Sequence, residues 1–218
     1  MTMSEDMYDS IEDAISGLFE GDSSGHDIHH TKRVHDTAIA IQAVEGGDLD
    51  VIRLASLLHD ADDRKLFNTS NHSNARSIMN DHDIDPKIQE DVIHVISQIS
   101  FKGKDTVTPD TLEGMIVQDA DRLDAIGAIG IGRAFAYGGR AGRAMFDPKE
   151  HHKDDMTEEE YFSNEGTTIN HFYEKLLLLK DLMNTDTAKS IAEHRHAFME
   201  AFLKEFYDEW YGKDQANL

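Results

Sequence analysis

The residues best suited to chemistry are a doublet, His59-Asp60, placed directly after Leu57-Leu58. A carboxylate that follows strongly apolar sequence is costly unless something satisfies it. Imidazole nitrogen and carboxylate oxygen together suit a borderline or hard divalent metal. The dipeptide alone carries little weight, because His26-Asp27, His35-Asp36 and His82-Asp83 repeat it. Context separates His59-Asp60 from these, since only it ends a strongly apolar stretch. A second candidate is His30, inside His26-Asp27-Ile28-His29-His30-Thr31-Lys32-Arg33-Val34. His26 and His30 are four apart and share a face on a helix, a spacing that also reads as a solvated polar face. The third is Gln118-Asp119-Ala120-Asp121-Arg122-Leu123-Asp124, led in by Met115-Ile116-Val117 and followed by Ala125 to Gly130. Three acids and an arginine in apolar surroundings are expensive to bury. One Asp is therefore expected to bind a cation, with Arg122 pairing another or meeting a substrate phosphate; a structural Asp–Arg pair is the alternative.

The elements that must position these groups read as helices throughout. Met7, Ile11, Ala14, Ile15, Leu18 and Phe19 mark a first amphipathic helix ending near Gly21. Ile28 to Glu45 is a second, closed by Gly46-Gly47, and Asp48 to about Asp60 is a third, apolar enough to be buried. Ser70 to His82 is a weaker helix, and Asp85-Pro86 starts another with Ile88, Val92, Val95, Ile96 and Ile99 on one face. Lys102 to Pro109 is turn-rich; Thr111 to Ala144 reads as two helices, and Phe146 to Ser163 as a long surface loop. Asn164–Met183 and Thr185–Trp210 complete the chain as two helices, the last carrying Phe198, Phe202, Phe206 and Trp210 as a core or dimer stripe. With alternating strand patterns almost absent, the expected fold is all-α.

Composition narrows the function. The chain has 218 residues, 43 acidic against 21 basic side chains, a formal net charge of −22, thirteen histidines and no cysteine. That length is enough for one self-sufficient core. Without cysteine there is no disulfide, thiolate–zinc site, iron–sulfur cluster or thiol nucleophile. The charge argues against a nucleic-acid surface, which needs clustered Lys and Arg. The acidic start, Met1 to Asp9, lacks a signal peptide's layout, and the longest apolar run is only Leu176 to Leu179, so no membrane association and a cytoplasmic location are expected. Two other motif readings fail on context. Met115 to Asp121 resembles the strand-plus-DxD start of haloacid-dehalogenase-like phosphatases, but no series of strands follows. Gly127, Gly130 and Gly132 lack the strand–turn–helix setting of a dinucleotide loop, and are expected to permit close packing or approach of a substrate.

Taken together, His30, His59-Asp60 and Asp121 resemble the H…HD…D signature of the HD superfamily of metal-dependent phosphohydrolases. The likeness runs from about Gly25 to Ser190. Tyr137-Gly138-Gly139 and Asn170 to Leu176 further resemble a small bacterial subgroup similar to nucleotide pyrophosphohydrolases. The resemblance implies a single HD-type helical domain over 1–218, with an HD core at about 25–125 and the helices of 126–210 packed on it. It implies His30, His59, Asp60 and Asp121 as ligands of one divalent ion (Mn, Ni, Fe, Co or Mg), with Asp119 as rival to Asp121.

Two imidazoles and two carboxylates leave open positions on a six-coordinate ion, where water and a phosphate oxygen can sit. A chain this acidic needs local cations for an anionic substrate. The candidates near the motifs are Lys65, Lys102, Lys104, Arg122 and Lys175, with Lys65 and Arg122 assigned to catalysis and Lys102, Lys104, His171 and Lys175 to substrate binding. Asp62 and Asp63 are candidates for proton transfer or for holding water. The expected reaction is hydrolysis of a nucleotide, (d)NTP to (d)NMP and pyrophosphate. The alternatives are a nucleotide phosphomonoesterase or phosphodiesterase, and a non-catalytic nucleotide-binding module. A small phosphorylated partner, and a homodimer, are compatible with this reading.

Overall fold

The computed structural model describes residues 3–19, 28–63 and 67–214. Among them no strand forms, and the chain is a stack of helices, as the periodicity requires: α1 (Glu5–Leu18), α2 (Ile28–Glu45), α3 (Leu49–Leu58), α4 (Ser73–Asp81), α5 (Pro86–Ile96), α6 (Leu112–Asp124), α7 (Gly127–Arg140), α8 (Glu158–Phe162), α9 (Thr168–Glu174) and α10 (Asp186–Trp210). None is long and apolar enough to cross a membrane.

The centre is α3. Its start is set by Asp48, whose carboxylate accepts from the N–H groups of Asp50 and Val51 at 3.0 and 3.2 Å, and every residue from Val51 to Leu58 is buried. A helix buried on all sides needs neighbours on all sides. They are α2, α5, α6 and α1, and Arg53 fastens α1 by a paired contact to Glu5 at 2.6 Å. The turn between α2 and α3 is made by Gly46 and Gly47 at φ of 85° and 93°, a region open to glycine without penalty.

The buried stripe of α2 is His30, Val34, Ala38 and Ile41, so the histidine occupies the N-terminal end of a core-facing row. In α6 the buried set includes Ile116, Val117, Ala120 and Leu123 together with Asp119 and Asp124. Acidic side chains two residues apart diverge by about 200° on a helix, so Asp119 and Asp121 face different neighbours.

The C-terminal half differs from expectation in two places. Asn164–Met183 is not one helix: Lys175 departs from helical geometry at φ −143°, ψ −61°, ending α9 and starting a 3₁₀ segment over Leu176–Leu182. The stretch 146–163, expected as loop throughout, contains α8, nucleated by a reciprocal capping box between Thr157 and Glu160. The stripe on α10 divides. Phe202 packs against Phe135 and Phe172, whereas Phe198 and Trp210 are exposed. Gly138 lets α7 approach α9, since a Cβ there would lie 2.2 Å from Thr168 Oγ1.

Candidate metal centre and substrate cavity

His30, from α2, and His59, one residue past α3, point their Nε2 atoms at each other, 3.2 Å apart. Both carboxylates that the signature implies join them. Asp60 Oδ2 lies 3.4 Å from His30 Nε2 and 3.5 Å from His59 Nε2; Asp121 Oδ1 lies 3.5 and 3.9 Å from the same atoms. Right-angled ligands held at about 2.1 Å from one ion are about 3 Å apart, so this spacing fits donors around a single cation. His30, His59 and Asp121 form the described residues' candidate group for a metal ion.

The outer nitrogens support that fit. His59 Nδ1 donates to the Ser56 carbonyl at 2.8 Å, and a carbonyl can only accept. His30 Nδ1 donates to Asp124 Oδ2 at 2.7 Å. With both Nδ1 atoms committed as donors, the two Nε2 atoms face one point, the arrangement of metal-binding histidines. Burial works to lower the basicity of His30. The carboxylates of Asp124 and Asp60 outweigh it and push the ring up to about 9.

Asp119 does something else. Fully buried, it accepts from the backbone N–H of Asn184 at 2.9 Å, from that of Thr185 at 2.8 Å and from the Thr185 hydroxyl at 2.8 Å, so it anchors the start of α10. Burial pushes its carboxyl above the usual range, opposed by those same donors.

The cluster opens into a cavity of about 480 Å³ walled by α6, α7, α8, α9 and the loop after α5. Lys102, Arg122 and Lys175 line it, as do Asp62, Asp63 and His171. Lys102 Nζ lies 3.6 Å from Glu158. Arg122 is buried, donates to the Leu182 carbonyl, and leaves its Nε without a partner among the described residues. Lys175 Nζ sits over the rings of Phe101 and Tyr161, 5.1 and 5.8 Å from their centroids, and burial lowers its pKa. Both oxygens of Asp62 are engaged, accepting at 3.0 Å from the N–H groups of Asn74 and Ala75 at the start of α4. Lys104 is exposed in its loop and does not line the cavity. Lys65 and His26 lie outside the described residues.

Sequence reasoning passed over Arg133 and Arg143, and named Asp124 among three acids without giving it a role of its own. Arg133 and Arg143 line the cavity, and Asp124 carries His30. Asp124 had a signal, since it lies one turn beyond Asp121 on α6. The two arginines had none, because nothing local marks which face of α7 or of the following turn meets the cavity. Five cationic side chains on these walls balance the five carboxylates of Asp60, Asp62, Asp63, Asp121 and Glu158, in a chain whose net charge is −22.

The family model for the HD domain matches residues 27–126. Over 205 residues, 90% of each chain, the sequence is 38% identical to the YpgQ protein of Bacillus subtilis. The chain belongs to the HD superfamily. Solved relatives match nearly the whole chain. A Lactobacillus plantarum protein is 39% identical with a TM-score of 0.87, covering 97% of this chain and 100% of that one. An HD-superfamily hydrolase from Bacillus thuringiensis is also 39% identical, with a TM-score of 0.74 over 95% and 98%. YpgQ in complex with ADP is 37% identical in the aligned structures, with a TM-score of 0.73 over 93% and 97%. This HD protein is thus an all-α, metal-dependent hydrolase of the superfamily, and its His30–His59–Asp121 cluster has the geometry to hold the ion.

Proposed function

We propose that this HD protein hydrolyses nucleotides, converting a nucleoside or deoxynucleoside triphosphate to its monophosphate and pyrophosphate. The observation that carries the reading is the placement of an imidazole–carboxylate cluster at the foot of a cavity whose walls hold Lys102, Arg122, Arg133, Arg143 and Lys175. A cavity of about 480 Å³ is in the range that takes a small ligand. The YpgQ complex with ADP supports a nucleotide as that ligand.

His30, His59, Asp60 and Asp121 are assigned as the ligands of one divalent ion, with manganese the first to test. When bound, that ion supplies Lewis acidity toward a phosphate oxygen and makes water more acidic. The chain's own groups do the rest. Lys102, Arg122 and Lys175 bind and orient the phosphates, and their charge offsets the negative charge that grows on the leaving group. Water attacks the α-phosphorus, the bond from it to the bridging oxygen breaks, and pyrophosphate leaves. Asp62 keeps its oxygens on the α4 backbone, so Asp63 is assigned to take the water's proton. His171, four residues before Lys175 on α9, lines the same wall and is assigned to substrate contact.

The test is a screen of ribo- and deoxynucleoside triphosphates with Mn²⁺, Ni²⁺, Co²⁺, Fe²⁺ and Mg²⁺, with products separated. Monophosphate and pyrophosphate in equal amounts are expected. Orthophosphate with diphosphate would move the cleaved bond to the terminal anhydride, and orthophosphate with nucleoside from a monophosphate substrate would make the protein a phosphomonoesterase. Tight nucleotide binding without turnover under any metal would make it a binding module.

A further inference from the structure

One carboxylate beside the site, Asp124, has three partners, His30, Arg33 and Arg133. It is nearly fully buried. Its Oδ2 accepts from His30 Nδ1 at 2.7 Å and from Arg133 at 2.7 Å, and Arg33 spans both oxygens at 2.6 and 3.0 Å. The three partners come from two helices with different duties. His30 belongs to the donor cluster, Arg33 lies one turn along α2 from it, and Arg133 stands on α7 as part of the cavity wall.

A ring held by a single bond through Nδ1 can rotate about its own side-chain torsions, and an acceptor fixed from two other sides limits that rotation. Arg33 and Arg133 supply that fixing, because each clamps the carboxylate from its own helix. The same bond works in the opposite direction on Arg133. A guanidinium presents five N–H donors in a planar fork, and only one of its terminal nitrogens is spent on Asp124. Anchoring that nitrogen sets the plane in which the rest of the fork faces the cavity. A planar fork is suited to two oxygens of one phosphate group.

We propose that Asp124 is a shared positioning residue, orienting His30 toward the metal and aiming Arg133 into the cavity, where Arg133 is an anchor for a phosphate of the nucleotide. The inference rests on the metal-dependent nucleotide reading of the site and adds to it a phosphate contact and a coupling. The coupling is a shared acceptor, since His30 Nδ1 and Arg133 donate to the same oxygen of Asp124.

The experiment uses the full chain without turnover, measuring Mn²⁺ binding to the metal-free protein and ADP binding with chelator present, both by calorimetry. Asp124→Asn keeps the shape and removes the charge and one acceptor. It is expected to weaken Mn²⁺ binding by about 10- to 100-fold, the usual effect of losing the carboxylate behind a ligating histidine. It should weaken ADP binding as well. Arg133→Met leaves the His30 and Arg33 bonds to Asp124 in place. It is expected to weaken Mn²⁺ binding far less than Asp124→Asn does and to weaken ADP by about tenfold or more, as for a lost charge-assisted contact.

Unchanged Mn²⁺ affinity in a folded Asp124→Asn protein overturns the orienting role, and unchanged ADP affinity in Arg133→Met overturns the anchor. Should Asp124→Asn fail to show a helical circular dichroism spectrum, Arg133→Met alone decides the anchor and Asp124→Glu, which keeps the charge, decides the orientation. Wild-type protein that binds no Mn²⁺ would refute the metal reading itself. Binding by wild type with no loss in any variant refutes only the linkage.

Discussion

Replacing Asp119 and Asp121 one at a time should separate folding from metal binding. The two side chains are two residues apart on α6 and point to different neighbours. Asp119 is fully buried and accepts from four donors on Asn184 and Thr185: two backbone N–H groups, the Asn184 amide and the Thr185 hydroxyl. Truncation strands those donors at the start of a 25-residue helix. A buried donor left without its charged acceptor costs about 1–3 kcal/mol, and relief of the buried charge returns part of the total. Asp119→Ala is therefore expected to lower unfolding free energy by about 3–5 kcal/mol. The Asp121 side chain is 32% exposed and its role is local, so Asp121→Ala should change stability by about 1 kcal/mol or less while losing most Mn²⁺ affinity. Urea unfolding followed by circular dichroism reads the first quantity, and calorimetric titration with Mn²⁺ reads the second. The reasoning fails if Asp119→Ala keeps its urea midpoint and loses Mn²⁺, or if the two variants are equally destabilised.

Other outcomes follow from the same geometry. Asp60→Ala should abolish Mn²⁺ binding and turnover while the helical circular dichroism spectrum is retained; full activity would remove Asp60 from the site. Burial of Lys175 lowers its pKa, so in the folded protein its charge is lost at a lower pH than an ordinary lysine's. Nucleotide affinity should accordingly weaken as pH rises through that lowered value, and Lys175→Arg should flatten the decline in a binding titration run across alkaline pH. Phe172, fully buried against Phe135 and Phe202, supports the helix that carries His171. Phe172→Ala should cost about 3–5 kcal/mol in a chemical unfolding experiment, and a smaller loss would mean that the site collapses around the missing ring.

Much of this protein was legible in its sequence because helical order is local. Spacings of three and four residues mark one face of a helix whatever surrounds it, so α2, α3, α5 and α10 could be placed from apolar positions alone, and the Asp48 and Thr185 caps lie where short polar side chains precede apolar periodicity. His59-Asp60 stood out by the same logic, as polar residues ending a helix too apolar to be exposed. The break at Lys175 was not legible. The residues around it, Glu174 to Leu179, suit a helix, and packing rather than propensity turns that segment to 3₁₀ geometry.

The choice between Asp119 and Asp121 shows where sequence stops. Both sit in one helix with nearly identical neighbours, and only the arrangement of α2 and α3 on one side and of α10 on the other gives them opposite duties. The cations divide for the same reason. Lys104 and Lys102 share a loop, yet only Lys102 meets the cavity, and Arg133 enters it from a glycine-rich helix that carries no local sign of a site. The sequence by itself determined the helices, the family of donors and the need for local positive charge, because each depends on residue type and short spacing. Which carboxylate joins the histidine pair, which one accepts from His30 Nδ1, and which arginines line the cavity were decided by tertiary structure, because a cavity is made by residues distant in sequence and no local pattern records which faces of separate helices will meet.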